Sequence, residues 1–394
     1  MKVSVRKYLL YSSVFAIFTE AFLVKFIIDW KLIYLIIFTN FILLVGLKKL
    51  TINFYFFLML CFFLVHGLLT YTVIGIPYNY LFSQIIGLGI MGTYYYNFIP
   101  LYDKEELVRV YVKSALYVAI AGYILWALNI NLNDGIRLQS IFTEPAHYAI
   151  VTIPACYYYL RTKEYVKFLI IFGTLILSNS SLGYVGCGLM FILPNLTWRR
   201  VTYLIALVPF LAGIFYYVYN EYPFFKMRID DTYTSLNAVN TGKFEEYTNL
   251  SSYALLSNLF VARHNVADHP LGSGIGSHYH MHGHYLKEIR VPPYIRATNN
   301  VKINAADACS MFTRLFSDLG YIGIILVLFA LYYGLKSFSS DSYFAQGVYI
   351  YLLLKLFRDG HYFPPEMFFF FWLLYFYIRD YMFSQKPVAL PKVT

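Results

Sequence analysis

Charge is scarce in this chain. Only 13% of its 394 residues are Asp, Glu, Lys or Arg, against 59% hydrophobic, so a soluble domain of this size would expose large apolar patches. Acidic residues are the rarer sign, 21 against 31 basic ones. Cysteine is almost missing: Cys61, Cys156, Cys187 and Cys309 are scattered, three of them within apolar runs, which excludes a disulfide framework and a cysteine-based metal site. No convincing internal repeat is found. No small-residue cleavage site follows the apolar run behind Lys2, Arg6 and Lys7, so that run is expected to be an uncleaved first helix.

What the chain has instead is apolar length. Twelve runs, near 8–28, 32–47, 52–70, 79–98, 112–129, 147–160, 166–179, 182–195, 201–219, 318–335, 343–357 and 363–379, read as membrane-crossing helices. Tyr and Trp thicken several of their borders, as interfacial aromatics do. The expected fold is an all-α polytopic membrane protein. Its short loops sort by charge: Lys48, Lys49, Lys104, Arg109, Lys113, Arg161, Lys163, Lys167, Arg199, Arg200 and Lys336 fall on one side, and only Lys31, Arg137 and Arg358 on the other. The positive-inside rule then puts both termini in the cytoplasm. The formal charge of +10 is therefore a topology signal, not a nucleic-acid footprint.

This topology divides the chain in three. Residues 1–219 hold helices one to nine with a short outer loop at 130–146, residues 220–317 form a large outer loop, and residues 318–394 hold the last three helices and a cytoplasmic tail. Three polar inserts share the outer face: Arg137-Leu-Gln-Ser-Ile-Phe-Thr-Glu144-Pro-Ala-His147-Tyr148, the large loop, and Arg358-Asp359-Gly360-His361. Ionisable groups beside a bilayer are costly, so this clustering marks a candidate site.

Several patterns carry weaker readings. Gly87, Gly89 and Gly92 match a dinucleotide fingerprint, yet they lie inside an apolar run with no strand before it, and small residues for close helix packing explain them. Gly183, Gly186 and Gly188 read the same way. Five of the nine histidines fall between 269 and 284. His278, His280, His282 and His284 share one edge only in an extended segment and have no acidic or thiolate partner at ligand spacing. A polar or substrate-facing loop is expected there, with metal ligation the alternative. Glu20 and Lys25 in the first run are either a site or a structural pair. Lys355 and Arg358, three apart on one helix face, either hold a phosphate or anchor the helix at headgroups.

Arg137-Leu-Gln-Ser-Ile-Phe-Thr-Glu144-Pro, Arg263 followed by His269-Pro-Leu-Gly272-Ser-Gly274-Ile-Gly276, and Arg314-Leu-Phe-Ser-Asp-Leu-Gly320-Tyr-Ile-Gly323, in that order along twelve spans, resemble bacterial O-antigen and exopolysaccharide polymerases. That family is grouped with the O-antigen ligases. The resemblance implies a membrane glycosyltransferase of GT-C-like architecture, multi-pass in the plasma (inner) membrane and active on its outer face. It would transfer a glycan from undecaprenyl diphosphate to the non-reducing end of a lipid-linked repeat unit, for lipopolysaccharide or capsule. No cofactor is implied. The partners implied are the undecaprenyl-diphosphate-linked oligosaccharide, membrane lipids, and a flippase and chain-length regulator. Arg263 and Gly274 have the family's arginine-to-glycine spacing, whereas the same spacing from Arg137 meets Tyr148. The ligases' His-Asn is absent ahead of Arg314, where Asp307, Ala308, Cys309 and Ser310 stand. A ligase-type transferase and a flippase or transporter of the same lipid are the alternatives, and charge gathered at one face, not at the midplane, favours catalysis over transport.

The chemistry assigns roles. A lipid diphosphate leaves with negative charge that fixed cations or a metal must stabilise. With no convincing carboxylate cluster for magnesium in the sequence, no metal is expected, and Arg137, Arg263, Arg314 and Arg358 are the expected diphosphate ligands. The acceptor hydroxyl must lose a proton, for which Glu144, His147 and His278 are the expected bases, with Gly274, His280 and His361 as further site candidates. Glu144-Pro145 equally suits the start of a helix. Single displacement inverts the anomeric centre.

Overall fold

The computed structural model describes residues 4–19, 21–26, 28–47, 49–130, 137–195, 209, 212–213, 215–217, 219–221, 223–339 and 342–384. Glu20, most of the expected span at 201–219 and the side chain of Lys25 lie outside the described residues. The fold is helical, with one short β-hairpin.

The first half contains α1 (Val5–Ala16), α2 (Leu32–Leu47), α3 (Phe54–Ile74), α4 (Asn79–Phe98), α5 (Lys104–Ala127), α6 (Pro145–Arg161), α7 (Tyr165–Leu177) and α8 (Ser181–Ile192). Local chemistry sets several ends. Asn53 accepts from the Phe56 N–H and Asp103 from the Glu106 N–H, each satisfying a donor of the first turn, and Gly75 closes α3 in the left-handed conformation. Past the large polar segment come α14 (Met311–Leu335), α15 (Tyr343–Phe357) and α16 (Pro365–Ser384).

The expected first span is corrected. Helix α1 stops at Ala16, and β1 (Leu23–Phe26) pairs antiparallel with β2 (Ile28–Lys31), Lys25 facing Asp29 in the register. Aromatic and β-branched residues around those two charges suit a hairpin.

Among the described residues, three helices are long and apolar enough to cross a membrane: α3, α5 and α14 with its extension to Phe338. Helices α2, α7, α8 and α15 are apolar but shorter. The apolar faces also point outward. The most apolar window of α3 has a mean hydropathy of 2.1 with only 22% of it buried, the reverse of a helix that hides its apolar stripe from water. Inside, small residues let α6 approach its neighbours: a Cβ on Gly186 would lie 1.9 Å from Ile153, and one on Gly347 would lie 2.9 Å from the Pro154 backbone. Gly87 and Gly92 likewise make room for Phe363 and Phe56, while Gly188 faces open space.

The segment between α8 and α14 is folded where it is described. It contains α9 (Pro223–Ser235), α10 (Ala238–Thr241), α11 (Leu250–Asp268), α12 (His278–Tyr285) and α13 (Pro293–Ala297), with α11 packed along α14. The histidine run expected as a loop is therefore helix α12. Helical spacing replaces one edge of four histidines by pairs four apart: His278 and His282 turn inward, their rings 6.3 Å apart, while His280 and His284 remain partly or fully open.

Candidate functional site at the break in α14

Glycine chemistry makes the central junction. Gly272, Gly274 and Gly276 have φ of +80°, +96° and +84°, and Gly320 interrupts α14 at φ 58°, ψ −135°, conformations that side chains resist. The 269–277 loop enters that break: the Gly274 N–H donates to the Asp318 carbonyl at 2.8 Å, and the Tyr321 N–H donates to the Pro270 carbonyl at 3.1 Å. From the other side Tyr71 on α3 donates to the Ile275 carbonyl at 2.8 Å.

Asp318 ties the junction together. Fully buried, its carboxylate accepts from the Gly276 N–H at 2.7 Å, the His278 N–H at 3.1 Å, the Ser277 hydroxyl at 3.1 Å and the Tyr362 hydroxyl at 2.9 Å. Arg314, one turn earlier, is also buried, with Nε 3.9 Å from Asp318 and its guanidinium carbon 4.1 Å from the centre of the Tyr362 ring. It donates from Nη1 to the Gly360 carbonyl at 2.9 Å, and its Nε has no hydrogen-bond partner. A guanidinium offers five donors, so this buried cation is under-satisfied.

Gly360 leads into the second polar turn. Lys355 donates to Asp359 at 2.7 Å, a buried pair four residues apart, and Asp359 accepts the His361 N–H at 3.2 Å. Burial pushes the Asp359 carboxyl up, but Lys355 first, then His147 and His361, hold it well below the usual carboxylate range. Asp307 reaches this turn from the segment before α14, its Oδ2 3.8 Å from His361 Nε2. Asp307, Asp359 and His361 each offer a metal-type ligand atom within 4.8 Å of the others. Lys355 already supplies a cation at that centre.

Asp359 and His361 line a pocket of about 50 Å3 with His147 and Ile150 from α6, Lys31 and Tyr34 from the hairpin side, and Glu366. Among the expected residues, Gly274, His278, Arg314, His361 and His147 thus lie at this pocket or at the junction beside it. Others stand elsewhere. Arg137 donates to the Ser178 and Asn179 carbonyls at 3.1 and 2.8 Å, capping the end of α7. Arg263 is exposed and reaches the Val239 carbonyl at 3.5 Å. At about 3.6 residues per turn it points almost opposite to Asn265, the residue that meets Ser317 of α14. Glu144 is exposed at the start of α6, with no capping bond from its side chain, and Arg358 is half-buried; both charges are felt at the Cys309 thiol, which burial pushes up. Tyr148 fills the core, bonded to Thr174 and packed on Phe142, so its position has no room for the family's glycine role.

The inward histidines are held neutral. Burial drives His278 well below the ordinary imidazole range, with His282 and Arg314 adding to it, and its Nε2 meets Asn258 at 3.0 Å. His282 falls from 6.5 to about 4 for the same reason, with Lys302 adding to it. His280, partly open, is lowered less deeply by burial and by the nearby His284 and Lys302.

Sequence reasoning gave no role to Asp318, Asp307, Tyr362 or Asp359, the last of which it named only as part of a polar insert. Asp318 carried a signal, an acid at the edge of an apolar run; the others become neighbours only in three dimensions. Compared with known proteins, the chain matches no protein-family model and no curated protein sequence.

Proposed function

We propose that the chain is a multi-pass membrane glycosyltransferase that polymerises lipid-linked oligosaccharide on the outer face of the plasma membrane. In this reading the apolar helices cross the membrane, both termini are cytoplasmic, and residues 220–317 stand outside. Arg314 carries the reading. It is a buried guanidinium whose Nε has no hydrogen-bond partner, held by the Gly360 carbonyl in the turn whose Asp359 and His361 line the pocket with His147 and Glu366. A preorganised cation in a water-poor site is what a departing diphosphate requires. The 269–277 loop fixes that geometry by joining the outer segment to α14 through Asp318.

The test uses purified protein in proteoliposomes with undecaprenyl-diphosphate-linked repeat unit extracted from cells lacking the chain. Wild type is expected to give a polymer ladder that Arg314→Ala abolishes and Arg314→Lys restores only weakly, because lysine cannot offer the planar fork. A ladder from Arg314→Ala at the wild-type rate overturns the assignment.

One observation favours a second reading. A helix broken at Gly320 beside a buried Arg314–Asp318 pair is a feature of carriers. Movement of the lipid-linked unit across the vesicle membrane without polymer would select it.

A further inference from the structure

We propose that His361, steadied by Asp307, accepts the proton of the attacking acceptor hydroxyl; this rests on the transferase reading above. The side chain of His361 is 52% exposed and lines the pocket, while Nε2 faces Asp307 Oδ2 at 3.8 Å. That gap is longer than a hydrogen bond, as catalytic contacts often are before substrate arrives. Both carboxylates around it are already oriented. Asp359 is committed to Lys355 through Oδ2 and to the His361 N–H through Oδ1, and Asp307 accepts the Cys309 N–H at 3.2 Å through Oδ1, leaving Oδ2 toward the ring. The Gly360 carbonyl between them holds Arg314, so the proton acceptor and the proposed anion-binding cation are fixed to one turn.

The other candidates are less well placed. His278 is buried and held by Asn258, and Glu144 does not line the pocket. His147 does line it and is the rival to be tested.

The step balances. The acceptor oxygen forms a bond to the anomeric carbon as its proton passes to the His361 ring. The bond from that carbon to the diphosphate oxygen breaks, and its electron pair leaves with the diphosphate. The imidazolium then lies between Asp307 and Asp359, which stabilise it, and returns its proton through the open pocket. Lys355 and Arg314 oppose that charge, and among the described residues Lys31, His147 and Glu366 are the other ionisable groups that line the pocket.

Steady-state rates and their pH dependence, with the extracted lipid-linked unit as substrate, test this. His361→Gln is expected to lower kcat by about 10²–10⁴-fold with little change in KM. Asp307→Asn is expected to keep more activity and to move the acid limb of the pH profile to lower pH, because the carboxylate that favours the protonated ring is gone. His147→Gln should lose much less. Wild-type kcat in His361→Gln, an unmoved acid limb in Asp307→Asn, a larger loss in His147→Gln, or abolition of activity by a chelator each overturn the assignment. Absence of polymer from the wild type overturns the transferase reading with it, so the two failures are distinguishable.

Discussion

At the scale of single residues, burial decides which polar groups hold the fold. Asp318 satisfies two backbone N–H groups, two hydroxyls and part of the Arg314 charge. Asp318→Ala is expected to destabilise by about 3–5 kcal/mol, because it leaves a buried cation and several donors uncompensated. A clearly lowered melting midpoint in detergent, with Asp318→Asn falling between the two, is the expected result; an unchanged midpoint contradicts this role. His282 gives a pH signature. Its folded value of about 4 lies below the ordinary 6.5, so the folded state binds fewer protons, and the stability it contributes is complete above 6.5 and lost as pH falls toward 4. Amide protection factors in α11 and α12 should fall across that window, and His282→Phe should reduce the fall. An identical profile in the variant would remove His282 as its source.

At the scale of elements, the junction depends on glycines that no side chain can replace. A Cβ on Gly320 would lie 2.0 Å from the Pro270 carbonyl, and one on Gly272 would lie 2.4 Å from the Asp318 backbone. Gly320→Ala is expected to add about 1–3 kcal/mol of backbone strain, besides that clash, and to release the 269–277 loop to protease. Gly188→Ala, facing open space in a helix, should be neutral or slightly stabilising, and cleavage patterns of the two variants provide the comparison. Helix positions were legible in the sequence because apolar runs and cap residues are local signals. The hairpin was missed because its apolar content continues that of α1, and α12 because alternating histidines suggest an edge until helical spacing pairs them. Site residues were legible only in part. Arg314, Gly274, His147 and His361 could be named, but the neighbours of His361 come from positions 307 and 359, and no local pattern links those positions. Arg137 and Arg263 carried the motif signal equally, yet helix ends and faces direct them elsewhere.

At the scale of the molecule, the proposed topology is testable with the native thiols as a quiet background, since Cys156, Cys187 and Cys309 are buried and Cys61 is partly covered. Tyr247 is 90% exposed in the segment proposed to lie outside, and Lys163 is exposed in a basic loop on the opposite expected side. An impermeant thiol reagent on intact cells should label Tyr247→Cys and not Lys163→Cys; the reverse inverts the topology. The bond from Tyr71 to the Ile275 carbonyl closes a sequence separation of 204 residues. At synthesis rates of about 5–20 residues per second, α3 waits roughly 10–40 s for that partner. During that interval the face of α3 that will receive the glycine loop, with Thr70 and Tyr71 beside the future position of Gly274, must be shielded by lipid or an insertion factor. Assembly of the glycine-loop junction is thus a late event in the life of the nascent chain.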